Sequence, residues 1–196
     1  MTRESTAELA SEISVKLVVA GDTGSGRGEL MRAFAERAGG VPVREGTLGG
    51  SRIWRLETIW PQPLEDGRLL RLRVFALTGK SDYNAAEELL LRDVDGVVCL
   101  IDAAPENLKF GWEALIRLSD NLRRAGLELG ELPLAVQYHR VDRHFGFDVR
   151  RMDQWLGLPA GRVARFVSRS GGVDFEGGAI DSVLAQIAAR VLVSTD

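Results

Sequence analysis

The stretch VKLVVAGDTGSGRG, Val15 to Gly28, decides how the chain is read. Val15 to Ala20 is a short apolar, β-branched run that breaks into a glycine-rich turn, and Glu29 to Arg37 then carries Leu30, Met31, Phe34 and Ala35 at helical spacing. Strand, glycine loop and helix in that order form the frame of the phosphate-binding pattern G-x-x-x-x-G-K-[ST]. In that pattern backbone N–H groups wrap the phosphates, a lysine supplies a point charge and a hydroxyl coordinates magnesium. Here Gly21, Gly24, Ser25 and Gly26 keep the frame, but Arg27 replaces the lysine and Gly28 replaces the hydroxyl residue. A guanidinium is a planar fork that does not occupy the slot of an ammonium. Gly28 has nothing with which to bind a metal, and Asp22 adds a carboxylate beside the anion position.

Outward from the loop, Gly39 to Gly50 reads as a mobile loop, and Ile53 to Trp60 and Leu69 to Ala76 read as two strands joined by Pro61 to Gly67. So short a link favours an antiparallel pair. Gly96 to Ile101 is a continuous apolar strand covered on both faces, followed by an amphipathic helix over Asn107 to Arg124. Leu132 to Tyr138, Asp148 to Leu156, Val163 to Val167 and Ala179 to Val193 continue as strand, helix, strand and helix. This alternation predicts an α/β fold with a mainly parallel six-stranded sheet, one antiparallel edge strand and helices on both faces.

Composition sets the outer bounds. The chain has 196 residues, 45% hydrophobic and 27% charged, which suits one globular domain, expected over residues 13–196 behind a flexible segment 1–12. No apolar run is long enough for a membrane span, and Met1 to Glu12 lacks the apolar core of a secretory signal, so a cytoplasmic protein is expected. The net charge of -3 gives nucleic-acid binding no general support. The single cysteine, Cys99, lies in an apolar run and reads as a buried thiol. His139 and His144 have no partners at metal-ligand spacing, so no metal site is expected.

Two further segments, TGKSDYNAAEELLLRDVDGVVC from Thr78 to Cys99 and QYHRVD from Gln137 to Asp142, resemble the Mgl-type (MglA-like) bacterial Ras-like GTPases, the gliding-motility polarity switches. Tyr83, Asn84, Val94, Asp95, Gly96, Gln137 and Tyr138 carry the resemblance, which runs from about Val15 to Val193. It implies a Ras-like P-loop fold. It also implies functional positions that this chain has altered. Lys80 stands where the family's second switch has its water-orienting glutamine, and a lysine does not position water as an amide does. In the base-reading motif His139 replaces asparagine and Arg140 replaces lysine, while Asp142 remains. Ser168 with Arg169 matches the last guanine-contacting loop weakly.

The expected nucleotide pocket is therefore degenerate, built from Gly21, Gly24, Ser25, Gly26, Arg27, Gly28, His139 and Asp142, with no catalytic residue. The first expectation is a non-catalytic pseudo-GTPase that works by protein binding and holds no cofactor. Its partner, by resemblance, is a roadblock-type (MglB-like) regulator or a motility or polarity component. The second is a divergent GTPase that takes GTP or GDP with magnesium and hydrolyses slowly with a partner. A transferase acting on another phosphorylated ligand, with Arg27 as anion anchor, is a third. The expected partner surface comprises Arg52, Trp54, Arg55, Trp60, Lys80 and Tyr83. Both tryptophans also suit a buried position, and Arg71 and Arg73, alternating with Leu70, Leu72 and Val74, also suit a solvated strand face.

Overall fold

The computed structural model describes residues 11–78, 83–158, 163–170 and 178–193, without the side chains of residues 83 and 84. Strand β1 (Glu12–Gly21) runs into helix α1 (Arg27–Arg37), and β2 (Arg44–Leu48), β3 (Ser51–Ile59) and β4 (Leu69–Leu77) follow. Then come α2 (Tyr83–Leu91), β5 (Gly96–Asp102), α3 (Leu108–Arg124), β6 (Leu134–His139), α4 (Val149–Leu156), β7 (Ala164–Val167) and α5 (Gly178–Val193). The strands form a seven-stranded sheet in the order β2-β3-β4-β1-β5-β6-β7. β1 pairs in parallel with both β4 and β5, and β5-β6-β7 continue in parallel.

The α/β class, the mainly parallel sheet and the antiparallel pairing of β3 with β4 agree with the sequence reading and are compatible with a Ras-like fold. The strand count does not. Part of the expected loop Gly39 to Gly50 is β2, paired antiparallel with β3 through Arg44↔Arg55 to Leu48↔Ser51. The turn between them is Gly49-Gly50, with φ of 54° and 79°. Positive φ at both central positions matches the strand twist of a two-residue hairpin, and glycine adopts it without steric cost. Because β2 flanks it, the reversed strand β3 is one place in from the edge. Periodicity does not mark helix α2. Its sequence YNAAEELLL has strong helix formers but groups its leucines together, so no stripe stands out. β1 starts at Glu12, inside the expected leading segment, and residues 1–10 of that segment lie outside the described residues.

Two apolar layers cover the sheet. On one face Leu17, Val19, Leu56, Leu72 and Val74 pack with Leu30, Met31 and Phe34 of α1 and Ile180, Val183 and Leu184 of α5. On the other, Val18, Val97, Cys99, Ile101 and Val136 pack with Leu90 and Leu91 of α2, Leu115, Leu118 and Leu122 of α3, and Met152 and Leu156 of α4. Cys99 is fully buried, and burial pushes its thiol up to about 12, so it packs as a small apolar group.

Candidate functional site

Strand order reverses at β1, and there the segments after β1, β5 and β6, with Ser168 after β7, lie at the carboxyl ends of their strands, the place where open α/β sheets hold ligands. The loop Gly21–Gly28 keeps positive φ at Gly21, Gly24 and Gly26, and Gly26 caps α1. α1 begins at Arg27, two residues before the expected Glu29. One of the loop's amides is already engaged within it, because Ser25 N–H donates to the Asp22 carbonyl at 3.1 Å. The loop opens on a cleft of about 200 Å³ lined by Thr23, Gly24, Arg27, Trp54, Thr78 and Arg140, among others. Pockets that enclose a drug-sized ligand run to roughly 300–1,000 Å³, so this one is small.

Side chains from this chain take up much of the surrounding space. A Cβ placed on Gly28 would lie 2.5 Å from Cη2 and Cζ3 of Trp54. The indole therefore covers the position where the phosphate-binding pattern carries its hydroxyl, and the arrangement as it stands has no place for a hydroxyl-held magnesium ion. Trp54 Nε1–H reaches Glu45 Oε1 on β2 at 3.4 Å, which fixes the ring's outer edge. A Cβ on Gly26 would meet the His139 ring at 2.8 Å, so glycine is required there by contact as well as by its φ of 98°.

Arg27, Arg32 and Arg140 line the cleft. Arg27 is only 6% exposed and acts electrostatically on Glu87 of α2. Glu87, 3% exposed, also accepts from Arg117 Nε at 2.8 Å and Asn121 Nδ2 at 3.2 Å. Its carboxyl is nonetheless raised above its ordinary value, because desolvation outweighs the pull of Arg117, Arg27 and Asn121. Arg140 has a left-handed φ of 59° and donates from Nη1 to the Gly24 carbonyl at 2.7 Å and to Asp102 Oδ2. It thus ties the loop after β6 to the loop after β1. Asp102 is held in turn by the Ala104 amide at 3.0 Å and Asn107 Nδ2 at 2.8 Å.

His139, fully buried, extends the same closure. Ser168 Oγ accepts from Gln137 Nε2 at 3.0 Å and lies 3.0 Å from His139 Nδ1, while His139 Nε2 lies 3.3 Å from Glu29 Oε2. A neutral imidazole with its proton on Nε2 lets the Ser168 hydroxyl donate to Nδ1, while Nε2–H lies near the Glu29 carboxylate outside hydrogen-bond geometry. Burial holds this imidazole below its ordinary value, with Glu29 pulling the other way. Asp142, the remaining member of the base-reading motif, accepts the Ser170 N–H at 2.7 Å, and that bond lowers its carboxyl below the usual range.

Of the expected pocket residues, Gly21, Gly24, Ser25, Gly26, Arg27, Gly28 and His139 come together around the loop, and Asp142 lies beyond them against Ser170. Glu29, Glu87 and Asp102 belong to the same network and were not singled out by motif. Glu29 and Asp102 adjoin recognised elements, but only the packing of α2 brings Glu87 near Arg27. The expected partner surface is divided. Trp54 and Trp60 pack with the α1/α5 face, where Trp60 stacks on Phe34 with ring centroids 5.6 Å apart and Arg37 sits 5.9 Å above it. Arg52 alternates onto that side, whereas Arg55 alternates to the opposite face of β3. Lys80 lies outside the described residues, and Tyr83 opens α2 without a described side chain.

No protein-family model matches the chain. Over 86 residues, 44% of this chain and 44% of the relative, it is 33% identical to the Mutual gliding-motility protein MglA of Myxococcus xanthus (strain DK1622). The match thus spans under half the length of that relative. Among the described residues no helix is long and apolar enough to cross a membrane. The motifs, the sheet order and this partial likeness together support a small-GTPase relationship for the chain.

Proposed function

We propose that this chain is a non-catalytic Ras-like module, a pseudo-GTPase that acts through protein contacts in motility or cell polarity in the cytoplasm, with weak or absent nucleotide binding. The observation that carries the reading is the Trp54 indole packed against Gly28. In a working phosphate loop that position holds the metal ligand, and the metal in turn neutralises the charge that develops on the transferred phosphoryl group. An aromatic ring at that position leaves no hydroxyl ligand for the metal, and buried Arg27 stands where the pattern carries its lysine. A regulatory protein of the roadblock type is the partner class that the Mgl resemblance suggests.

A second reading, a divergent GTPase that hydrolyses slowly with a partner's help, draws on the retained backbone of Gly21, Gly24 and Gly26 and on the open cleft beside it. One experiment separates the two. Freshly purified protein is denatured and its released nucleotide assayed, and the folded protein is titrated with labelled GTP and GDP with and without magnesium. The pseudo-GTPase reading expects no stoichiometric nucleotide and no magnesium-dependent binding. Stoichiometric, magnesium-dependent guanine nucleotide would replace it with the second.

A further inference from the structure

We propose that the sheet face formed by β2, β3 and β4 on the side of α2 is a docking surface for an acidic segment of a partner protein. The inference rests on the reading of the chain as an interaction module and adds to it a surface and a partner chemistry. It is independent of whether the cleft at Gly28 takes nucleotide.

The apolar layer of α2, α3 and α4 covers Ile53 of β3 and Leu77 of β4. Beyond them, on the same face, Arg55, Glu57, Ile59, Arg71 and Arg73 are exposed. Pairing registers set Arg44 opposite Arg55, Glu57 opposite Arg73, Ile59 opposite Arg71, and Lys16 of β1 opposite Arg73 on its other side. Five cations thus share one open face in a chain whose net charge is -3. Two of them are occupied, since Arg71 pairs with Glu12 at 2.6 Å and Lys16 Nζ donates to the Arg92 carbonyl at 2.5 Å. No ion pair within 4.0 Å engages Arg44, Arg55 or Arg73 among the described residues.

Like charges directly across a strand pair repel. The Arg44–Arg55 pair therefore carries a repulsion that an incoming carboxylate relieves. A cleft of about 200 Å³ lies at this pair, lined by Pro42, Arg44, Arg55 and Glu57, with room for a carboxylate side chain. Ile59, 40% exposed, offers an apolar contact near the other end of the row. Glu57 sits between the arginines and repels a continuous polyanion, whereas a peptide can place a neutral residue opposite it. The surface thus suits an extended segment of spaced carboxylates with an apolar residue between them.

The test is an amide chemical-shift titration of the full chain with a synthetic peptide of single glutamates separated by single leucines. Shifts centred on Arg44, Arg55, Glu57, Ile59 and Arg73 are expected, weakening with added salt. Reversing two charges in Arg55→Glu/Arg73→Glu should weaken binding by at least about tenfold, while Arg123→Glu/Arg150→Glu on the helices leaves it unchanged. If the reversed variant fails to fold, Arg55→Gln/Arg73→Gln should give an intermediate loss. Shifts centred elsewhere, or binding indifferent to these changes, overturn the proposal. So does equal or tighter binding of phosphatidylserine vesicles or duplex DNA on the same face, which assigns it to a membrane or to nucleic acid. Guanine nucleotide in the purified protein would remove the proposed function without altering this titration.

Discussion

Replacing Gly28 with serine brings a Cβ within 2.5 Å of the Trp54 ring, closer than packed atoms tolerate. Overpacking of this kind costs about 1–3 kcal/mol. Gly28→Ser is expected to destabilise the protein by that much in urea unfolding, and Trp54→Ala in the same chain to recover most of the clash. The two changes should be strongly non-additive, because they share one contact. A loss below about 0.5 kcal/mol for Gly28→Ser would mean that the indole moves aside readily, and the plug would then be weak. The same residues limit what motif reading achieves. Gly28 was legible as a missing hydroxyl, but that a tryptophan from β3 fills the gap depends on a contact across 26 positions of chain, which no local pattern records.

At the scale of elements, β2 depends on its turn. Gly49 and Gly50 both adopt left-handed φ, a region that costs an L-residue roughly 1–2 kcal/mol. Gly49→Ala/Gly50→Ala should therefore lower stability by about 2 kcal/mol or more, with hydrogen exchange accelerating first over Arg44–Leu48. Unchanged protection of β2 would count against the turn as its anchor. Helix α4 has the opposite kind of start, a side-chain cap in which Asp148 Oδ1 accepts from Arg151 N–H at 2.9 Å. Asp148→Ala is expected to cost about 0.5–2 kcal/mol in the same unfolding assay. That helix was readable from its sequence because its cap and apolar spacing agree. β2 was harder, since REGTL alternates weakly and only the Gly-Gly pair announces a hairpin.

At the scale of the molecule, the buried His139 couples stability to pH. Its folded value lies below 6.5, so as pH falls beneath 6.5 the unfolded chain takes up a proton that the folded chain refuses. Stability present above that pH is lost through the window between the two values. His139→Asn should flatten this acid-side slope, as measured by thermal unfolding over a pH series. Glu87 acts in the opposite sense, because its raised folded value makes stability fall as pH rises from 4.5 toward that value. The comparison between the parent chain and His139→Asn isolates the histidine. An unchanged slope in the variant would place the proton on another group.

The sequence by itself determined the α/β class, the strand-loop-helix frame and the presence of arginine and glycine at positions 27 and 28 of the loop. Those features are local, written in periodicity, in glycine spacing and in residue type. Only the tertiary structure decided how the side chains around that loop are arranged. Arg27 lies within electrostatic reach of Glu87, Arg140 crosses to the Gly24 carbonyl and Asp102, and Trp54 closes over Gly28. Each of these joins segments far apart in the chain, and a buried charge or ring takes whichever partner the packing brings within reach, so its direction is set by the assembled core.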